Sequence, residues 1–141
     1  MLRLAHDRLA AYKTKPFTRF ARRARISDQE LWEVVRKANA GIIDADLGGG
    51  VIKQRIARLG EGKSGGSRCI VLFRQRSRAV FVHGFEKKDV GNIKANELEA
   101  FRELASVVLG YSNDEIAQRV ADGALIEILP HEEDTNGRKI S

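Results

Sequence analysis

Three short apolar runs, at about 51–58, 68–75 and 78–85, follow one another through the middle of this 141-residue chain. Each is rich in Val, Ile and Phe and is bounded by turn residues, the signature of β-strands. Gln75 to Ser77 leaves room only for an antiparallel hairpin connection, and Gly48-Gly-Gly50 breaks the chain before the first run. In that first strand the two-residue period puts Lys53 and Arg55 on one face and Ile52 and Ile56 on the other. The next two strands are apolar on both faces at their centres, Ile70 and Leu72 against Val71 and Phe73. Helices or a further strand must therefore cover part of each face.

The helices are legible from their caps. Ser27-Asp-Gln-Glu30 is a capping box with Ile26 and Leu31 at the hydrophobic-staple positions, and Leu31, Val34, Val35 and Ala38 form one apolar stripe with Trp32 on its flank. Gly41 is the expected stop. Asn96-Glu-Leu-Glu99 opens a second amphipathic run, with Leu98, Phe101, Ala105 and Val108 facing inward before Gly110. A second capping box, Ser112-Asn-Asp-Glu115, starts a short helix that stops at Gly123, and 124–129 reads as a last strand halted by Pro130. The expected fold class is α+β: a small antiparallel-dominated sheet with helices before and after it. The length and 43% apolar content suit one domain, placed at 12–129, with 1–11 as an N-terminal extension and 130–141 as a tail too polar to order itself.

Charge narrows the function. The 25 Lys and Arg exceed the 19 acids, and the excess is segregated: residues 1–90 carry +11 and residues 91–141 carry −5. Such asymmetry within one domain favours a polyanion partner over uniform solubilising charge. Cys69 is the only cysteine, so an intramolecular disulfide and a cysteine-based zinc site are both excluded, and a reducing cytoplasm fits. No stretch approaches a membrane span, and no apolar run follows the N-terminal charges as a secretory signal requires. Six arginines against one acid in the first 25 residues also suit a transit peptide, which ranks below an arm facing nucleic acid.

Gly60-Glu-Gly-Lys-Ser-Gly-Gly66 imitates a phosphate-binding P-loop, but Ala57 stands where the motif needs its first glycine, and a strand follows where it needs a helix. Nucleotide hydrolysis is thereby set aside, although glycines with Lys63 can still approach a nucleic-acid backbone. His6, His83 and His131 are scattered without spaced carboxylates, so no metal or other cofactor is expected. His83, alternating with Phe81 and Phe85, reads first as a partly buried core histidine and second as a proton shuttle. What remains is cationic: Lys53, Arg55, Arg58, Lys63, Arg68, Arg74, Lys87 and Lys88. In antiparallel order the end of the first strand, the start of the second and the end of the third share one edge, so these cations converge. RNA can be cleaved by its own 2′-hydroxyl if side chains remove the proton, steady the charge on phosphorus and protonate the leaving oxygen. Fixed Arg and Lys supply the middle role, at roughly 10²- to 10³-fold per donor, and a crowded lysine can supply the first.

The succession Ile52-Lys-x-Arg-Ile-Ala-Arg58, Gly62-Lys-Ser-Gly-Gly-x-Arg68, a strand ending Phe73-Arg74, Val82-x-Gly-Phe-x-Lys-x-Asp89 and Asn92-Ile93 resembles the RelE-like toxins of bacterial toxin–antitoxin pairs. The RelE/HigB branch, the translational repressors, is the most similar, and Lys13 to Arg23 and Ile26-Ser-Asp28 also fit it. The resemblance implies an mRNA interferase that cleaves transcripts in the ribosomal A site without a metal and is held inactive by an acidic or helix-turn-helix antitoxin. Carried across by motif, the catalytic set is Lys53 and Arg55 for proton removal and RNA positioning, Arg68 for the scissile phosphate, and Lys87 for the leaving group, with Lys88 as its register alternative. Arg58, Lys63, Arg74 and Lys88 are the expected further RNA contacts.

Two positions depart from that branch. Ser67 stands where it usually has tyrosine in Gly-Gly-Tyr-Arg, and Glu86 where it usually has alanine in Gly-Phe-Ala-Lys. Serine cannot stack on a base, and an acid beside Lys87 lowers the local potential. Glu86 could serve instead as a general base, with solvated charge balance the plainer reading. The competing reading is a catalytically weakened module that binds antitoxin and nucleic acid in an operator-bound repressor complex. Gyrase poisoning, as in the related ParE toxins, is the third, and the basic set argues against it.

Overall fold

Antiparallel pairing from Ser67 to Glu86 forms the middle of the sheet, and everything else is arranged around it. The computed structural model describes residues 9–58, 66–89 and 93–130. In chain order the elements are β1 (Ala10–Thr14), α1 (Lys15–Ala24), α2 (Asp28–Asn39), β2 (Ala45–Gly48), β3 (Val51–Arg55), β4 (Ser67–Arg74), β5 (Arg78–Glu86), a 3₁₀ turn at Lys87–Asp89, α3 (Ala95–Val108), α4 (Asn113–Ala121) and β6 (Leu125–Ile128). The six strands form one sheet in the order β2-β3-β4-β5-β1-β6, antiparallel except where β1 runs parallel to β5. This is the α+β architecture expected from the sequence.

The doubly apolar central strands are covered on both sides. On one side α1 and α2 bury Phe17, Ala21, Leu31, Val35 and Ala38 against Ile52, Ile56, Cys69, Val71 and Phe81. On the other, α3 and α4 bring Ala105, Val108, Leu109 and Ile116 onto Val51, Ile70, Leu72, Val80 and Val82. The cap of α2 is as read: the Glu30 amide donates to Ser27 Oγ at 3.1 Å and the Ser27 amide to Glu30 Oε1 at 2.9 Å. Trp32, expected on the flank, is buried.

Three elements were not anticipated. Thr14 Oγ1 accepts from the Phe17 amide at 3.4 Å and starts α1, whose stripe of Phe17, Phe20, Ala21 and Ala24 faces the sheet beneath outward-facing arginines. β1 begins at Ala10, so Ala10 and Ala11 belong to the sheet rather than to an extension reaching residue 11. β2 pairs with β3 through Gly48, Gly49 and Gly50, whose φ angles of 86°, 64° and 86° make a tight turn where a simple chain break was expected. Arg102 of α3 ties that turn down, its Nε and Nη2 donating to the Leu47 carbonyl at 3.1 and 2.5 Å. Among the described residues no helix is long and apolar enough to cross a membrane. The expected polar tail, residues 131–141, lies outside the described residues.

Candidate nucleic-acid interface

Strand register decides which cations meet. Arg55 of β3 pairs with Arg68 of β4, and Arg68 in turn with Phe85 of β5. One row along, Lys53 pairs with Ile70 and Ile70 with His83. Directly opposed residues share a face with their Cβ atoms about 4.5–5.5 Å apart, and a three-strand row spans roughly 10 Å. Lys53, Arg55, Arg68, His83 and Phe85 therefore share the face whose other half is covered by α3. Arg55 and His83 are exposed, and Lys53, Arg68 and Phe85 are half-buried, so the face is open to solvent. Like charges directly opposed across a ladder repel by roughly 0.2–1 kcal/mol when nothing offsets them, and here the Asp44 carboxylate sits at the Arg55 backbone.

β3 is held in place from its edge. Asp44 Oδ2 accepts from the Arg55 amide at 2.6 Å, and the buried Gln54 side chain bridges the Asp44 amide at 2.7 Å and the Ile42 carbonyl at 3.1 Å. Arg68 Nη1 donates to the Ser67 carbonyl at 3.3 Å. These bonds fix the strand ends that carry the two guanidinium groups.

His83 is the residue the sequence undervalued. Simple alternation puts it with Phe81 and Phe85, half-buried. A β-bulge intervenes, because Val71 pairs with Phe81 while Ile70 pairs with His83. Phe81 turns into the α1–α2 core with no exposure, whereas His83 is exposed on the cationic face. Its ring stacks with Phe85 at 5.8 Å and lies 5.9 Å from Phe101 of α3. Bulges re-aim side chains in this way, and nothing in the local composition marks the extra residue.

The two departures from the resembling branch prove to be partners. Ser67 and Glu86 are opposed in the ladder, and Ser67 Oγ lies 3.0 and 3.2 Å from the two carboxylate oxygens. Ser67, which is 1% exposed, shares the α1 face with Cys69. Glu86 lines a cavity of about 350 Å³ with Phe20, Arg23 and Gly84 on that side. Neither side chain is on the face of Arg55, Arg68 and His83. Gly84 is required here, because a Cβ would stand 2.2 Å from the Phe20 ring.

Lys87 and Lys88 form the 3₁₀ turn beyond β5, both exposed, and the Lys87 amide donates to the Gly66 carbonyl. Their backbone thus adjoins the start of β4, two residues from Arg68. Two other expected RNA contacts, Arg58 and Arg74, are placed away from this open face. Arg58 is turned into the fold: its Nη2 donates to the Ala24 and Arg25 carbonyls at 3.0 Å each, and its Nε lies 3.8 Å from the buried Glu30 carboxylate. It closes the C-terminus of α1. Arg74 stands at the opposite end of β4 from Arg68, roughly 20 Å away, and its Nη1 donates to the Leu109 carbonyl at 2.7 Å. Lys63 and the rest of its glycine-rich loop to residue 65 lie outside the described residues. Burial pushes the Cys69 thiol well above its ordinary range, with the Asp44 charge adding to the effect, so that group is chemically quiet.

No curated protein matches the chain significantly. The family model for the RelE toxin of the RelE/RelB toxin–antitoxin system matches residues 9–128, from the first residue of the described fold to the last residue of β6. A toxin of such a system has an antitoxin as its partner. With a match over that much of its length, on the sheet and helices described above, the chain belongs to the RelE toxin family.

Proposed function

We propose that this toxin is a ribosome-dependent mRNA endonuclease that acts in the cytoplasm, cleaving by attack of a ribose 2′-hydroxyl on the adjacent phosphate. The observation that carries this reading is the opposed Arg55–Arg68 pair, flanked by Lys53 and exposed His83 on one open face. Arg55 and Arg68 hold the scissile phosphate and stabilise the charge that grows on its oxygens, where a single fixed donor is worth roughly 10²- to 10³-fold. Lys53 receives the 2′-hydroxyl proton. The 5′-oxygen that leaves must take up a proton, and His83 or Lys87 supplies it. Phe85 and Phe101 beside His83 offer a surface on which a base can stack. The cognate antitoxin silences the toxin by covering this face with an acidic or apolar segment.

Inducing the chain alone, without antitoxin, should arrest translation and produce transcripts cut within codons, with Arg68→Ala and the double variant Arg55→Ala/Arg68→Ala losing the cuts. Sound transcripts beside a folded, ribosome-associated wild-type chain would exclude nuclease action and leave an RNA- or operator-binding module. Ser67 and Glu86 weigh less for that alternative, since both side chains lie off the face of Arg55, Arg68 and His83, with Glu86 beside Lys87.

A further inference from the structure

A second cationic site lies at the far end of the sheet, where β4 turns into β5. A cavity of about 400 Å³ opens there, lined by Tyr12, Arg76, Ser77, Arg78 and Asn113 among others. Arg78 is 8% exposed, yet no carboxylate of the described residues pairs with it. Its Nη1 donates to the Val108 and Tyr111 carbonyls at 2.9 Å each, which leaves its other N–H groups without a partner among the described residues. Tyr12 is 9% exposed, and its hydroxyl likewise has no hydrogen-bond partner among the described residues. Asn113 is the first residue of α4; the Glu115 amide donates to Ser112 Oγ at 3.0 Å, which leaves the Asn113 and Asp114 amides as the ones available at this helix start. Arg76 occupies the left-handed region at φ 61°, a conformation for which glycine is the low-cost residue. Asn39 holds it there by accepting from the Arg76 amide at 2.6 Å. Among the described residues no acid lines the cavity. Glu127, the cross-strand neighbour of Tyr12 whose charge adds to burial in raising the Tyr12 pKa, and Asp114, next to Asn113, stand just outside the lining.

The remaining N–H groups of Arg78 and the Tyr12 hydroxyl are open to this hollow, since among the described residues only Arg58 Nε is a fully buried side-chain polar atom without a hydrogen-bond partner. Here a buried guanidinium and a buried phenol share one polar hollow with an exposed arginine and a helix start, and every one of these groups offers a donor. We propose that this hollow binds a phosphate group, with Arg78 and Arg76 supplying the charge and Tyr12 and the α4 amides the remaining hydrogen bonds. It is separate from the Arg55–Arg68 face, at the other end of β4, and does not depend on the nuclease reading. The phosphate can be free or part of a nucleic-acid backbone.

Residue-resolved NMR titration of the full chain tests this, with inorganic phosphate in one arm and a short single-stranded RNA in the other. Phosphate should shift the amides of Ser77 and Asn113 saturably. Sodium chloride at matched ionic strength should not. The double variant Tyr12→Phe/Arg76→Gln leaves Arg78 and its carbonyl bonds in place, and should bind phosphate here about tenfold more weakly while shifts near Arg68 persist. Displacement of phosphate from Ser77 and Asn113 by RNA identifies the ligand as backbone phosphate; saturation by phosphate with no competition from RNA identifies a free ion. Absence of saturable shifts in both arms, equal shifts with chloride, or an unchanged affinity in a folded double variant each overturns the site.

Discussion

The opposition of Ser67 and Glu86 makes a double-mutant cycle with the branch residues, tyrosine and alanine, the sharpest check on the sheet register. Glu86→Ala removes the acceptor of a hydroxyl that is 1% exposed, which should cost about 1–3 kcal/mol. Ser67→Tyr forces a ring into a position closed by the Glu86 side chain, and overpacking of that kind costs about 1–3 kcal/mol. Independent effects would sum to about 2–6 kcal/mol. In the double variant the ring takes the room the carboxylate vacates, so the loss should fall to about 0–2 kcal/mol. The coupling, about 2–4 kcal/mol, exceeds the roughly 0.5 kcal/mol within which independent sites add. Urea unfolding at constant slope measures it, and at roughly 4 °C per kcal/mol for a domain of this size, thermal melting confirms it. Because both side chains lie on the α1 side of the sheet, RNA cleavage by the double variant should stay within about threefold of the wild type. Additive losses, or a double variant worse than either single one, would refute the argument that the two residues form one unit.

Four other outcomes follow from the same geometry. Arg68→Gln and Arg55→Gln should each reduce the salt dependence of single-stranded RNA binding by about 0.7 in the log–log slope, as expected for one lost phosphate contact, with Arg74→Gln leaving it unchanged. Arg58→Ala should destabilise the fold by about 1–3 kcal/mol, since it leaves the Ala24 and Arg25 carbonyls without their donor and removes the guanidinium beside buried Glu30, while RNA affinity of the folded fraction is unaltered. Gly84→Ala should cost at least about 1–3 kcal/mol by displacing Phe20, read by denaturation. The Cys69 thiol keeps its proton in the fold at pH values where the unfolded chain, near its ordinary 9.0, has lost it. The unfolded state then binds fewer protons, so stability should fall as pH rises above 9.0, by at most about 1.4 kcal/mol per pH unit from this group, and Cys69→Ala should flatten that part of the profile.

Local rules account for most of what the sequence disclosed. Capping boxes at Ser27 and Ser112 act within four residues, and the strand alternation of Val51 to Arg55 is a property of one strand, so both were legible without knowledge of the fold. The segment from Ala10 to Ala24 was not, although Thr14, Pro16 and the stripe of Phe17, Phe20, Ala21 and Ala24 announce a capped amphipathic helix. Its arginines dominate the composition of this segment and mask the apolar stripe beneath them. Other failures had no local signal to find. The bulge at Val82, which sends Phe81 and His83 to opposite faces, depends on how β5 registers with β4. The pairing of Ser67 with Glu86 is likewise a cross-strand fact, and each residue alone looked like damage to the site.

The basic excess, finally, overstates the RNA surface, because arginine performs two kinds of work in this fold. Arg58 closes the end of α1, Arg74 and Arg78 donate to the carbonyls that end α3, and Arg102 pins the β2–β3 turn. Each satisfies backbone carbonyls that would otherwise lack partners at a helix end or turn, with the added favour of a cation near a helix C-terminus where a helix is involved. Arg58, Arg74 and Arg102 would be found in a neutral protein of the same shape. Arg55 and Arg68 are different: they are opposed across the ladder as Arg74 and Arg78 are at the other end, but they stand with Lys53 and His83 on an open face rather than against the carbonyls that end α3. Charge gathered by strand register on an open face, rather than charge in total, distinguishes this end of the sheet and makes it the surface proposed to hold RNA.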